Sequence, residues 1–486
     1  MSLSLSAPVQ PSAPAAASTY GILGYMVLFA PVALAYTASF DPVLSYLVAW
    51  GGSWFLFLGT TSGGLLPIPQ DRPWTHQLFR PLFLVHAVFS GFFCLSSVFY
   101  VWELYNPQQA SWMPLPSDQM GLVAEAQRYY LLGHASFLAG IFSAMSYARD
   151  GTWRFQTSRS YPEILLFAGF AAFVASFLFG QIGFLNQFAV KFQSVAGAAL
   201  VMGFAISLIR GRPGLLLISA PVYGAVFISA IMSGWKHQII AVSGLLMLYL
   251  FPRFKRSTAV AGVIALLIGV TLLPAYNNTF RKLNWDGRLS AEIAAAESIR
   301  QIAEGEVDIS EQSWHFLKDR TTEIGLFTDY ISHTPDLRPY YGLSLAEQAV
   351  LSIIPRAFWA GKPVTENLVM ERVYENGAVE TYSDASAKPQ LVVDGYLSGG
   401  ALGVGITCFL LGLAFSWTSR LAEKYLGGYR FGSAVVYTGL FSTIILTNSF
   451  EFFANTFFWS VVTLFMGFVA LQLTGFLYWE PTPKRS

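Results

Sequence analysis

Read from its N-terminus, the chain alternates long apolar runs with short polar connections. A bilayer-crossing helix takes about 20 mostly apolar residues. Twelve runs approach or meet that length: residues 20–38, 43–61, 81–102, 129–147, 164–185, 194–209, 214–233, 237–251, 258–275, 395–417, 432–447 and 456–478. The run 237–251 is short and reads as tilted or partly re-entrant. Residues 1–19 carry no Lys or Arg and are rich in Ala, Pro and Ser, which predicts a disordered tail rather than a signal peptide. One connection is long, the 119 residues 276–394. The expected fold is an all-α polytopic membrane protein, with one large helical loop ahead of its last three spans.

Composition agrees. Hydrophobic residues make up 54% of the 486 and charged residues 12%, with a mean hydropathy of +0.49, where a soluble domain is about 25% charged. A net charge of +1 argues against nucleic-acid binding by bulk electrostatics. Cys94 and Cys408 both lie in apolar runs, so neither a disulfide framework nor a cysteine metal site is expected.

Basic residues then orient the spans, because short cytoplasmic loops hold an excess of Lys and Arg. With the N-terminus inside, the inner segments, including the C-terminal tail 479–486, carry fifteen basic residues. The outer short loops carry three: Arg128, Lys191 and Lys236. Residues 276–394 are then extracytoplasmic, and they hold eighteen of the twenty-eight acidic residues. Neither a fixed-period repeat nor an inverted repeat is visible.

Inside that loop, Leu289, Ile293, Ala296, Ile299 and Ile302 form one helical face. A second helix is predicted from Asp308, with Glu311 in capping-box spacing and a stripe of Trp314, Leu317, Thr321, Ile324, Phe327 and Ile331. Arg320 falls within that stripe at 100° per residue. A guanidinium there needs an anionic partner, which is either a protein carboxylate or a bound anion. A third helix, with Ser344 and Glu347 as another capping box, is ended by Pro355. The string IIPRAFWAGKP follows, placing Arg356, Phe358, Trp359 and Lys362 in a proline-stiffened turn. It suits either a membrane-interface anchor or a sugar-stacking cationic site.

Elsewhere, SGWKHQ places Lys236 and His237 at the junction of the seventh and eighth spans. His86 and His134 lie inside spans, as functional groups or as a helix–helix hydrogen bond. Glu451, between the last two spans, has no obvious charged neighbour. His315 and Asp319 are four apart, but no third ligand follows at a metal-site spacing, and no phosphate-binding loop or nucleophile elbow occurs.

At IIPRAFWAGKP the chain resembles the Wzy-type oligosaccharide repeat-unit polymerases of bacterial surface polysaccharides, which are related to the O-antigen ligases. Pro355, Arg356, Trp359, Lys362 and Pro363 carry the family's string. SGWK matches its mid-chain junction with Lys236 in place of Arg, HFLKDRTTEIG its arginine-bearing helix, and DGYLSGGALGVG, with Asp394 and Gly395, its glycine-rich re-entry. The resemblance implies a GT-C-like membrane glycosyltransferase of the bacterial cytoplasmic membrane, using neither nucleotide sugar, cofactor nor metal. Donor and acceptor would be undecaprenyl-pyrophosphate-linked glycans, with a flippase and a chain-length regulator as further partners. It implies Arg320, Arg356 and His315 as catalytic candidates. Lys236, His237, Trp359, Lys362 and Asp394 are the substrate-binding ones. The alternatives are a ligase using the same donor, a lipid-linked glycan transporter, or a membrane scaffold.

Overall fold

The computed structural model describes residues 21–105, 117–147, 151–285, 289–319, 321–356, 358–359, 361–380, 387–446 and 449–481. The protein is an all-α membrane protein, its described residues helical but for one two-stranded ribbon and the connections. Its long helices are α1 (Ile22–Thr37), α2 (Pro42–Thr61), α3 (Leu84–Leu104, with a π turn at Ser90–Leu95) and α4 (Ser117–Ala144). They continue as α5 (Tyr161–Gly180), α6 (Asn186–Arg210), α7 (Pro213–Met232), α8 (Lys236–Leu250) and α9 (Lys255–Asn284). The predicted outer loop then supplies α10 (Ala291–Ala303), α11 (Ile309–Asp319), α12 (Ile324–His333), α13 (Ser344–Ile353) and α14 (Thr365–Glu375). Last come α15 (Leu391–Tyr425), α16 (a π segment Tyr429–Tyr437 running into Thr438–Phe441) and α17 (Phe450–Leu473).

Among the described residues, eight helices are long and apolar enough to cross a membrane, and α1 and α8 are shorter apolar ones. Local chemistry sets their ends. Asp41 caps α2, its carboxylate accepting from the N–H groups of Val43 (2.9 Å) and Leu44 (3.1 Å), with Pro42 in the first turn. Ser160 and Glu163 form a capping box on α5. Gly211, at φ 58°, ends α6 in the left-handed conformation, and Pro213 opens α7 directly after it.

The most extensive helix pair is α4 against α15. A Cβ on Gly140 would lie 2.1 Å from the Phe409 carbonyl oxygen, and one on Gly412 would lie 2.0 Å from that of Phe137. Glycine at both places lets the backbones touch, the small-residue packing that replaces hydrophobic drive within lipid. Because α4 is enclosed by protein, it carries Gln127, Arg128 and His134 and is more polar than the helices around it.

Connections meet in two groups. In one, Arg80 bonds Asp71 (2.7 Å) and Glu423 (2.9 Å) and lies 3.6 Å from the Tyr147 ring centroid. Asp71 is held down to about 2: burial pushes its carboxyl up, and the Arg80 guanidinium outweighs this. In the same group, strands β1 (Thr152–Phe155) and β2 (Leu477–Glu480) pair antiparallel, a ribbon the apolar pattern did not foreshadow. The other group holds α10–α14, the α7–α8 turn and the ends of α3 and α17.

Several sequence expectations need correction. Helix α9 passes the predicted end at residue 275 and reaches Asn284. The stripe predicted as one helix from Asp308 is two, α11 and α12, broken by Thr321–Glu323. There the Thr322 hydroxyl accepts from the Ile324 N–H (3.3 Å), the local side-chain bonding that competes with helix. Asp308 does cap, accepting from Glu311 N–H at 3.0 Å. Ser344 does not cap α13; its hydroxyl donates to the Tyr341 carbonyl. Helix α15 begins at Leu391 and breaks at Gly399–Gly400, where Gly400 takes φ 60°. Its two halves press together so closely that a Cβ on Gly403 would lie 2.0 Å from the Gly395 oxygen.

Candidate functional site

The turn SGWK joins α7 to α8. Gly234 adopts φ 68°, and the Ser233 hydroxyl donates to Ala230 O while accepting from Trp235 N–H (3.1 Å). The turn is docked on α9, since Arg281 Nε donates to Gly234 O at 2.9 Å. The same guanidinium lies 4.3 Å from the Trp285 ring centroid and 5.0 Å from that of Trp235, so it is fixed on three sides.

Helix α11 closes the other wall. Ser313 donates to Thr271 O (2.8 Å) and Asn278 Nδ2 donates to Gln312 Oε1 (2.6 Å), both across to α9. At its far side, Glu103 on α3 accepts from Trp314 Nε1 (2.6 Å) and Lys318 Nζ (3.1 Å).

Between these walls lies a cavity of about 110 Å³. Lys236, Arg281 and His315 bring positive charge or donor capacity to it; Asn277, Asn278 and Gln312 bring carboxamides. Phe316 and Pro274 complete the wall, with Lys236 Nζ 4.1 Å from the Phe316 ring centroid. Among the described residues, no carboxylate lines it. A cation and a phosphate charge 4 Å apart attract by about 4 kcal/mol at an effective dielectric near 20. Trp235 and Trp285, 46% and 49% exposed, flank the site as interface aromatics do.

Two of the predicted residues, Lys236 and His315, therefore share this cavity, with His237 adjacent, its ring centroid 5.8 Å from that of Trp235. Arg281 was not anticipated, since it looked like one more cation of the long loop. Arg320 lies outside the described residues. Arg356 is not in the cavity wall: it is exposed, with Nη2 3.4 Å from Pro363 O. Lys362 Nζ donates to Ser352 O (2.6 Å) and Ile354 O (2.9 Å), holding the last carbonyls of α13. Trp359 is half-buried beside the exposed Phe358. This turn is anchored to α17, because Ser352 donates to Glu451 O (2.8 Å) and Asn455 donates to Ser352 O (2.7 Å).

Asp394 is fully buried and pairs with Arg372 at 3.1 Å, so its carboxylate faces protein. Arg372 also bonds Glu451 at 2.9 Å, which supplies the charged neighbour that Glu451 was thought to lack. Burial alone would lower the Arg372 pKa, but the Asp394 and Glu451 carboxylates raise it above the ordinary range. The Phe450 N–H donates to Asp394 at 2.8 Å, tying the start of α17 to α15. His86 and His134 meet through their Nε2 atoms at 2.7 Å, a hydrogen bond between α3 and α4. The described residues hold no cluster of three or more His, Cys, Asp or Glu suited to a metal.

Neither a curated protein nor a solved structure matches the chain. Residues 30–478, from α1 through both the cavity and the Arg356 turn to β2, match one family model, and the chain belongs to that family, described as a domain of unknown function (DUF8712).

Proposed function

We propose that this protein polymerises undecaprenyl-pyrophosphate-linked oligosaccharide repeat units at the outer face of the bacterial cytoplasmic membrane. The chain would cross twelve times, with both termini in the cytoplasm. The grouping of connections supports this, since Arg80 with Glu423 and β1 with β2 join loops that twelve crossings put on one side. Likewise Glu103 with Trp314 and Arg281 with Gly234 join loops on the other.

The observation that carries the reading is the cavity in which Lys236, Arg281 and His315 meet at an aromatic interface level. In the reaction, an acceptor sugar hydroxyl attacks the donor's anomeric carbon. The bond from that carbon to the pyrophosphate oxygen breaks, the oxygen keeps the electron pair, and the hydroxyl proton passes to a base, for which His315 is the candidate. Lys236 and Arg281 would stabilise the charge that grows on the pyrophosphate; fixed donors of this kind commonly contribute about 10²–10³ in rate each.

The test supplies lipid-linked repeat units to membrane vesicles carrying wild-type, Lys236→Ala or Arg281→Ala protein. Polymer per inserted protein should fall at least tenfold in each variant while single units accumulate. Wild-type polymer from both would overturn the site. The broken helix α15 favours one other reading, transport of a lipid-linked glycan, since interrupted spans line substrate paths in transporters. Polymer formed in detergent, where no compartments exist, would exclude it.

A further inference from the structure

The cavity holds a feature that the ionised oxygens of a phosphate ester cannot satisfy. Asn277, on α9, is fully buried and lines the cavity. Its Nδ2 donates to Leu273 O at 3.1 Å. That carbonyl can only accept, so the amide is oriented with nitrogen towards it, and a flipped amide would set two acceptors face to face. Oδ1 is therefore the remaining atom, and it is buried without a hydrogen-bond partner. A phosphate oxygen is itself an acceptor and leaves Oδ1 unpaired. A hydroxyl beside the phosphate would donate to it. The neighbouring carboxamides do not compete for that role, because Asn278 and Gln312 already bond one another.

We infer that Asn277 reads a hydroxyl on the group esterified to the phosphate, so that the pocket takes a sugar phosphate ester in preference to a simple alkyl phosphate. The inference rests on the proposed anion-binding role of the cavity and adds what selects its ligand.

The experiment uses the full chain in nanodiscs of zwitterionic lipid. Inorganic phosphate, methyl phosphate, glycerol phosphate and a panel of hexose 1-phosphates are titrated by calorimetry. In the wild type, the best hexose 1-phosphate should bind about tenfold more tightly than methyl phosphate. In Asn277→Leu, of similar size but without the acceptor, this advantage should shrink below twofold while methyl phosphate binding is kept. Asn277→Ala replaces the leucine variant if the latter fails to insert. Equal binding of methyl phosphate and every hexose phosphate, or an advantage that survives the substitution, overturns the role of Asn277 and leaves the anion site standing. Glycerol phosphate binding more tightly than any hexose phosphate overturns the sugar assignment in favour of a phospholipid headgroup. No binding of any phosphate overturns the anion site and this inference together.

Discussion

Replacing Arg372 with methionine removes one charge from a site holding three. Arg372 is 2% exposed, and Asp394 and Glu451 are fully buried. Each carboxylate lies about 3 Å from the guanidinium, where a contact is worth about 5 kcal/mol at an effective dielectric near 20. Desolvation of three ions offsets most of that attraction, so the intact cluster contributes little net stability. Removing the cation alone is different, because it leaves two carboxylates facing each other without water. The expected cost is about 3–5 kcal/mol, read as a lower midpoint in denaturant titration of the detergent-solubilised protein followed by circular dichroism. The triple variant Arg372→Met, Asp394→Asn, Glu451→Gln should regain most of the loss. The new amides carry no charge, and the carboxamide oxygen at position 394 can still accept from the Phe450 N–H. A single variant within 1 kcal/mol of wild type, or a triple variant as unstable as the single one, would refute the electrostatic account.

Gly140→Leu should separate α4 from α15, because even its Cβ would sit 2.1 Å from a backbone oxygen; overpacking of this kind costs about 1–3 kcal/mol or more, and membrane-inserted yield should fall several-fold while Gly121→Leu, which meets nothing within 4 Å, is tolerated. Asp329 on α12 has its carboxyl pushed up to about 6 by burial, against the opposing pull of His333. Its unfolded value is about 3.9, so the fold holds this proton more tightly. The stability it contributes is complete below pH ~4 and is lost as pH rises through ~6. Asp329→Asn should flatten the dependence of melting temperature between pH 4.5 and 7.5, and an unchanged slope would count against the assignment. Reporter fusions after Ser257 and at Gly305 should read cytoplasmic and extracytoplasmic respectively, and any other pair of results removes the twelve-crossing topology.

The helices were legible where one-dimensional physics decides them. Apolar runs marked the long helices, the period of Leu289 to Ile302 marked α10, and Asp308 marked the start of α11. Legibility failed where a decision belonged to tertiary contact. Thr321 belongs to the predicted stripe and Thr322 follows it, and nothing in the period reveals that the helix is interrupted there. Gly140 and Gly412, which let α4 and α15 touch, lie 272 positions apart. Arg372 had a readable signal that went unused: Val369, Met370 and Val373 flank it on a buried face, so a charge there already demanded a partner. Arg281 had none, because its distinction comes from Gly234 and two indoles brought to it from elsewhere in the chain.

The separation of the cations bears on how the proposed reaction would work. The family resemblance implied Arg320, Arg356 and His315 as catalytic candidates, and Arg320 lies outside the described residues. The described residues instead place Lys236, Arg281 and His315 in one cavity, and Arg356 with Lys362 on a turn held by α13 and α17. Two cationic places suit a reaction with two substrates that each carry a pyrophosphate. Their roles then follow from how each cation is held. Stabilising charge that develops on a leaving group requires donors fixed before the reaction begins, since reorienting them during it consumes the benefit. Arg281 meets that condition, with Nε bonded to the backbone and its guanidinium packed against two indoles. Arg356 does not, being exposed and joined to Pro363 O by one long contact of 3.4 Å. Lys362 is engaged with two helix carbonyls and serves chiefly to hold the turn's shape. On the proposed reaction the donor's leaving group belongs in the Arg281 cavity, and the Arg356 turn, adaptable and open, belongs to the docking of the acceptor.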